Sequence, residues 1–288
     1  MAMDITREST LRELTTDRGV LRYHEAGSGA PLVLLHGSGP GVSGWQNYSG
    51  VLAEFAEHFR CLILEFPGFG VSDPVAGHPM ATAGPSVLAL LDGLGLDSAA
   101  VIGNSMGGII AANLAIAVPQ RITSLVTVGG VGVPLFSPGP AEGLNLLMDF
   151  VADPTRERLV QWLHSMVYDR SMITDELIEQ RWELATDPDS LASARAMYSR
   201  EGFIARQAAA DASATAPYWA MLHKIRVPTL LTWGRDDRVS PLDTAIVPMR
   251  LIPDAELHVF PRCGHWTMLE QREAFIATVL AFLLRVSG

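Results

Sequence analysis

Ala100-Val-Ile-Gly-Asn-Ser-Met-Gly-Gly108 is the stretch on which the reading of this chain turns. It sets the pattern G-x-S-x-G between an apolar run and a segment of small residues, Met106–Val118, and so reads as strand, sharp turn and helix. The glycines have a steric purpose. A serine held on so tight a turn leaves no room for bulky neighbours beside the adjoining strand and helix. The turn presents the Ser105 hydroxyl and brings the N–H of Met106 to a helix N-terminus, where it can stabilise an oxyanion.

Outward from this turn, short β-rich runs alternate with helical stretches. The runs Leu32–His36, Cys61–Leu64, Ala99–Gly103, Ile122–Val128, Pro228–Trp233 and Glu256–Phe260 are mostly continuously apolar, as in strands buried on both faces. Arg272–Arg285 reads as a closing helix. The class is α/β, a mostly parallel central sheet with helices on both faces. The rhythm breaks after Val133-Pro-Leu-Phe-Ser-Pro-Gly-Pro140. Beyond it the pattern predicts helices without strands, at Ala141–Ala152, Thr155–Tyr168, Thr174–Ala185 and Pro188–Tyr198. Thr174-Asp-Glu-Leu177 and Asp187-Pro-Asp189 have the N-cap residue and early acids of helix starts. The expected organisation is a core of residues 1–132 and 223–288 into which a helical cap, 133–222, is inserted.

Composition narrows the function. The formal net charge of -10 argues against a nucleic-acid partner, which needs clustered Lys and Arg. An anionic small substrate would need one specific local cation. Cys61 and Cys263 are too few for a disulfide framework, and no Cys/His cluster has zinc-ligand spacing. MAMDITREST lacks the apolar stretch of a secretory signal, and runs such as Leu32–Leu35 and Thr278–Leu284 are too short to span a bilayer. A reduced, cytoplasmic setting without membrane contact is expected.

A nucleophilic serine needs a histidine, and the histidine a carboxylate that fixes its tautomer. The chain resembles the α/β-hydrolase fold, in which serine, acid and histidine follow in that order at strand ends. His265, in Phe260-Pro-Arg-Cys-Gly-His-Trp266, lies just after the last predicted strand. His36 belongs to another loop, and His24, His58, His78, His164, His223 and His258 read as surface or packed histidines. Trp233-Gly-Arg-Asp-Asp-Arg-Val-Ser-Pro241 offers two acids, and the fold's spacing Gly-x-x-Asp-x-x-x-Pro selects Asp237 over Asp236. One strand earlier, Gly129-Gly-Val-Gly132 offers no carboxylate. In this fold His36-Gly-Ser-Gly-Pro-Gly41 faces the serine turn, which makes the Ser38 N–H the second oxyanion donor beside Met106.

Further motifs narrow the resemblance to the meta-cleavage product hydrolases, which cleave a C–C bond in 2-hydroxy-6-oxo-hexa-2,4-dienoates. They are Gly44-Trp-Gln-Asn-Tyr48, Gly103-Asn-Ser-Met-Gly-Gly108, Trp233-Gly-Arg-Asp-Asp-Arg238, Cys263-Gly-His-Trp266 and, in the cap, Tyr168-Asp-Arg-Ser-Met-Ile-Thr-Asp-Glu-Leu177 with Gln180-Arg-Trp182. The resemblance implies that Asn47, Asn104 and Arg181 surround the carboxylate and C2 oxygen of the dienoate with Ser171 and Trp266 completing that polar end, that Ser38 and Gly39 also bind substrate, and that Met166 and Val239 line the tail pocket. Arg181 suits a carboxylate because guanidinium pairs with it in bidentate fashion; alternatively it is a helix arginine paired with Glu183 or Asp187. Glu65 replaces an Asp usual in the family, and a structural loop role is expected there. No metal or organic cofactor is required, and relatives are commonly dimers or larger. Attack by serine and attack by activated water both fit this constellation. A carboxylesterase or lactonase on the same scaffold, or a catalytically silent binding protein, are the alternatives.

Overall fold

The computed structural model describes residues 5–17, 19–73 and 76–287. A short helix α1 (Arg7–Thr10) precedes β1 (Leu11–Thr16), β2 (Gly19–Ala26) and β3 (Pro31–Leu35). There follow α2 (Gly44–Ala56), β4 (Arg60–Glu65), α3 (Pro79–Gly93), β5 (Ala99–Asn104), α4 (Met106–Ala117) and β6 (Ile122–Val128). Between β6 and the next strand lie α5 (Glu142–Ala152), α6 (Arg156–Met166), α7 (Asp175–Thr186), α8 (Pro188–Tyr198) and α9 (Arg200–Ala212). The chain closes with β7 (Thr229–Gly234), α10 (Ile246–Leu251), β8 (Ala255–Phe260), α11 (Thr267–Glu270) and α12 (Arg272–Val286).

The eight strands form one sheet in the order β1-β2-β4-β3-β5-β6-β7-β8. β1 and β2 join antiparallel, and every pairing from β4 to β8 is parallel. The apolar runs explain why. In β3, Leu32 and Leu34 face one hydrophobic cluster with Phe55 of α2 and Phe275 of α12, while Val33 and Leu35 face another with Val87 of α3 and Ala111 of α4. A strand buried on both sides has no polar face, so its hydrophobic run is unbroken.

The four helices expected between residues 141 and 198 are present within one or two residues of their predicted ends. Thr174 caps α7 by accepting from Leu177 N at 3.2 Å, and Asp187 caps α8 through Asp189 N and Ser190 N. The loop leading into this helical segment is fixed from the core. Asp243 accepts the N–H groups of Leu135, Phe136 and Ser137 at 2.8, 2.9 and 3.0 Å, and the Ser137 hydroxyl at 2.5 Å. No helix among the described residues is long and apolar enough to cross a membrane.

Candidate active site

The parallel strands end on one edge, and their loops carry the chemistry. Ser105 sits between β5 and α4 with φ 50° and ψ −112°, a left-handed strain that a non-glycine residue adopts only where its surroundings enforce it. The enforcement is steric. A Cβ on Gly103 would come within 2.4 Å of the Gly107 carbonyl carbon, and one on Gly107 within 2.3 Å of the Leu35 oxygen. Ser105 N donates to Val128 O at 2.8 Å, which ties the turn to β6. Met106 N opens α4 and therefore has no acceptor within the helix.

Of the two acids after β7, it is Asp237 that meets the histidine. Its Oδ2 lies 2.6 Å from His265 Nδ1, while its Oδ1 accepts Val239 N and Ser240 N, each at 2.8 Å. Asp236 pairs instead with Arg235 and accepts Cys263 N at 3.4 Å. His265 is 2% exposed, and its own N–H donates to Met166 O at 2.7 Å. The loop Gly129–Gly130 separates histidine from serine. A Cβ on Gly129 would reach 3.1 Å from His265 Cε1, and one on Gly130 2.6 Å from Ser105 Cα. Ser105 Oγ makes no hydrogen bond here, so the expected bond between it and His265 is not formed in this structure.

The loop after β3 is rigidly seated. His36 Nδ1 bonds Gly37 O at 2.6 Å and its Nε2 accepts Phe66 N at 3.0 Å, and burial lowers its pKa, so the ring stays neutral. The Ser38 hydroxyl bonds the Tyr198 hydroxyl of α8. Glu65 takes the structural role expected of it: its carboxylate accepts Gly44 N and Trp45 N, both at 2.8 Å, and so caps α2. Burial alone would raise its pKa, but the bonds from His24 and these N–H groups, with His36 nearby, hold it below the ordinary value. A capped α2 fixes Asn47, whose Nδ2 donates to Asn104 Oδ1 at 3.0 Å. Asn104 Nδ2 in turn donates to Val128 O at 3.1 Å.

Arg181 is the most telling residue. It is 1% exposed, and neither Glu183, Asp187 nor any other described residue bonds its guanidinium. Its Cζ stands 5.1 Å over the Trp266 ring, and burial lowers its pKa to about 10, which leaves it cationic near neutrality. A cation–π contact stabilises by about 0.5–2 kcal/mol, whereas a buried unpaired ion costs several kcal/mol. The ring does not offset the charge. Two further polar groups are buried without partners, Asn47 Oδ1 and Trp162 Nε1, and the Trp162 ring packs edge-on against Trp266 with centroids 6.5 Å apart.

Two residues are not where the resemblance implied, Ser171 at the carboxylate end and Met166 in the tail pocket. Ser171 is exposed, because Asp169 Oδ1 draws both its N–H (2.9 Å) and its hydroxyl (2.7 Å) into a surface turn. Met166 packs in the hydrophobic core, and it is its carbonyl, not its side chain, that reaches the site. Val239 does line the cavity of about 800 Å³ that opens from Ser105 and Ser38. Its other walls are mostly apolar, among them Met80, Ile109, Leu144, Met148, Met197 and Phe203. Trp162, Tyr198 and the Met166 carbonyl were not foreseen. Helical spacing makes Trp162 a core residue, and only its orphaned N–H in three dimensions singles it out. Among the described residues no group of three or more His, Cys, Asp and Glu could hold a metal ion.

Comparison with known proteins agrees with this architecture. Residues 30–271 match the family described as alpha/beta hydrolase fold. The chain is 38% identical to a 2-hydroxy-6-oxo-6-phenylhexa-2,4-dienoate hydrolase of Burkholderia cepacia, over 96% of this chain and 97% of that one. It is 36% identical to a 2-hydroxy-6-oxononadienedioate/2-hydroxy-6-oxononatrienedioate hydrolase of Comamonas testosteroni, over 98% and 99%. Among solved structures, a meta-cleavage product hydrolase from Pseudomonas fluorescens superposes with a TM-score of 0.86 at 29% identity, covering 97% of this chain and 99% of that one. The chain belongs to the α/β-hydrolase fold family and, within it, to the meta-cleavage product hydrolases.

Proposed function

We propose that this protein hydrolyses the C5–C6 bond of a 2-hydroxy-6-oxo-hexa-2,4-dienoate bearing a hydrocarbon group at C6. The observation that carries the reading is the buried, unpaired guanidinium of Arg181, stacked over Trp266, the residue that follows His265 in the chain. An esterase has no use for it. A substrate with a carboxylate supplies the missing counter-charge, and the bidentate geometry of guanidinium suits that group. Asn47 Oδ1, a buried acceptor without a donor, matches the enol hydroxyl at C2. Asn104 holds Asn47 in place, and Trp266 supports Arg181 from below.

The chemistry follows from the leaving group. Direct hydrolysis would expel a carbanion, so the dienol is ketonised first: the C2 hydroxyl gives up its proton, and C5 gains one. His265 moves these protons, with Asp237 fixing its tautomer. Ser105 Oγ then adds to the C6 carbonyl while His265 takes its proton, and the N–H groups of Met106 and Ser38 hold the resulting oxyanion. The C5–C6 pair leaves into the system conjugated with the C2 ketone. Protonation gives 2-hydroxypenta-2,4-dienoate, and water releases the acyl group from Ser105 as a carboxylic acid. The cavity beyond Ser105 takes the C6 group. Its methionine-rich wall suits an apolar tail, and Arg206 at its edge turns its donors to the Ala196 and Met197 carbonyls.

A spectrophotometric panel tests this. Loss of absorbance is followed for dienoates carrying phenyl, methyl and carboxyethyl groups at C6, beside p-nitrophenyl butyrate. The expected result is a kcat/KM for the phenyl or methyl dienoate at least about 100-fold above the ester. Ester turnover without dienoate turnover would make the protein a carboxylesterase.

A further inference from the structure

The unpaired groups of the polar pocket are more numerous than a carboxylate clamp requires. Arg181 Nε and Nη1 and Asn47 Oδ1 are accounted for by an anionic carboxylate and an enol hydroxyl. Trp162 Nε1 is not. The side chain is 1% exposed, its nitrogen is buried without an acceptor, and an indole N–H has no role except as a donor. Native proteins rarely leave such a group orphaned, because its desolvation is uncompensated.

The surroundings of the ring say where an acceptor would come from. Trp162 lies on α6, and its ring meets Trp266, over which Arg181 is stacked. On another side it presses on the loop after β3, where a Cβ on Gly39 would come within 2.7 Å of its Cζ2 and 3.8 Å of its Cε2, the carbon bonded to Nε1. The six-membered ring of the indole therefore lies against Gly39, with Cε2 next in line, and the side chain stands between that loop and the Trp266–Arg181 stack. Trp162 does not border the apolar cavity beyond Ser105. We infer that Trp162 Nε1 is a further substrate-binding donor, bonding an oxygen at the C1–C2 end of the dienoate beside Arg181. This rests on the dienoate reading given above. It gives the pocket a polar contact from α6 in addition to that from α7, and it sharpens discrimination against compounds without an oxygen there.

Trp162→Phe keeps a flat aromatic ring but deletes the N–H together with the volume of one fused ring, so the readout is one that lost packing alone does not move. The readout is the ratio of kcat/KM on a 6-phenyl dienoate to kcat/KM on p-nitrophenyl butyrate, measured for wild type and variant. The ratio is expected to fall about tenfold, the effect of one hydrogen bond to a charged or strongly polar acceptor. An unchanged ratio, including an equal loss on both substrates from disturbed packing, overturns the inference. Failure of the wild type on dienoates would instead overturn the proposed function. If Trp162→Phe does not fold, a crystal structure of Ser105→Ala with the dienoate bound decides. Nε1 within about 3 Å of a substrate oxygen supports the inference, and an indole nitrogen still without an acceptor overturns it.

Discussion

His265 Nδ1 and Asp237 Oδ2 stand 2.6 Å apart in a pocket that excludes almost all solvent, with the second carboxylate oxygen locked by two backbone N–H groups. The acid has no freedom to do anything except orient the imidazole. Asp237→Asn preserves the shape but reverses which partner donates, so kcat should fall by roughly 10³–10⁴ with little change in stability. Steady-state kinetics and a thermal melt check this together. A loss below tenfold would mean that another group orients His265.

Arg181 should show opposite effects on function and stability. Arg181→Met removes a buried charge that nothing in the free protein neutralises, and should stabilise the fold by roughly 1–3 kcal/mol. The same change should lower kcat/KM on a dienoate by about 10²–10³ relative to an ester. Differential scanning calorimetry and the substrate panel give both numbers from one preparation. A less stable variant would show that the guanidinium serves packing rather than an anion.

Asp243 gives a pH-dependent prediction. Its burial opposes ionisation, but the N–H of Phe136, the hydroxyl and N–H of Ser137 and the N–H of Leu135 outweigh it and bring the pKa to about 2. A carboxylate depressed on folding stabilises above its unfolded pKa of about 4, and that contribution disappears as pH falls towards 2. Asp243→Asn should therefore cost about 2–4 kcal/mol at pH 7 and progressively less below pH 4. Urea titrations of both proteins at pH 7 and pH 3 test it; a constant difference would contradict it.

Gly39 combines φ +134° with a ring where its Cβ would be. Gly39→Ala must displace Trp162 or the oxyanion loop, at a cost of roughly 1–3 kcal/mol. Activity on dienoates should fall at least tenfold, since both neighbours are affected. A fully active Gly39→Ala protein would mean that the loop has slack that the packing does not show.

Much of this was legible in the residues. The five central parallel strands β3 to β7 were visible because burial on both faces leaves largely apolar runs such as Leu32–Leu35, and β8, at the edge, by its alternation of apolar and polar residues. β1 and β2 were not, since Leu11-Arg-Glu-Leu-Thr-Thr16 at the edge and Gly19-Val-Leu-Arg-Tyr-His-Glu-Ala26 beside it mix polar and apolar residues and resemble loop. Helix α9 was not expected either, although the Ser199 hydroxyl that accepts Gly202 N at 3.3 Å is a helix-start signal. The positions of Ser105, Asp237 and His265 at strand ends followed from their order. Ser171 was misplaced because a hydroxyl in a matching motif says nothing of which way a surface turn directs it. Trp162 was hidden for the converse reason: as a buried aromatic on an amphipathic helix it looks like any other core residue until its nitrogen is seen to lack an acceptor.

The main-chain bond from His265 to Met166 means that the imidazole is not carried by the sheet alone. Its peptide is gripped by the end of α6, and Trp162 sits one turn back on the same helix. On the inference that substrate bonds Trp162, a ligand at the indole and the support of the imidazole share one helix, which predicts that occupancy at one end of the substrate affects alignment at the other. Substitutions along α6 that never touch substrate should accordingly be felt in turnover before they are felt in affinity.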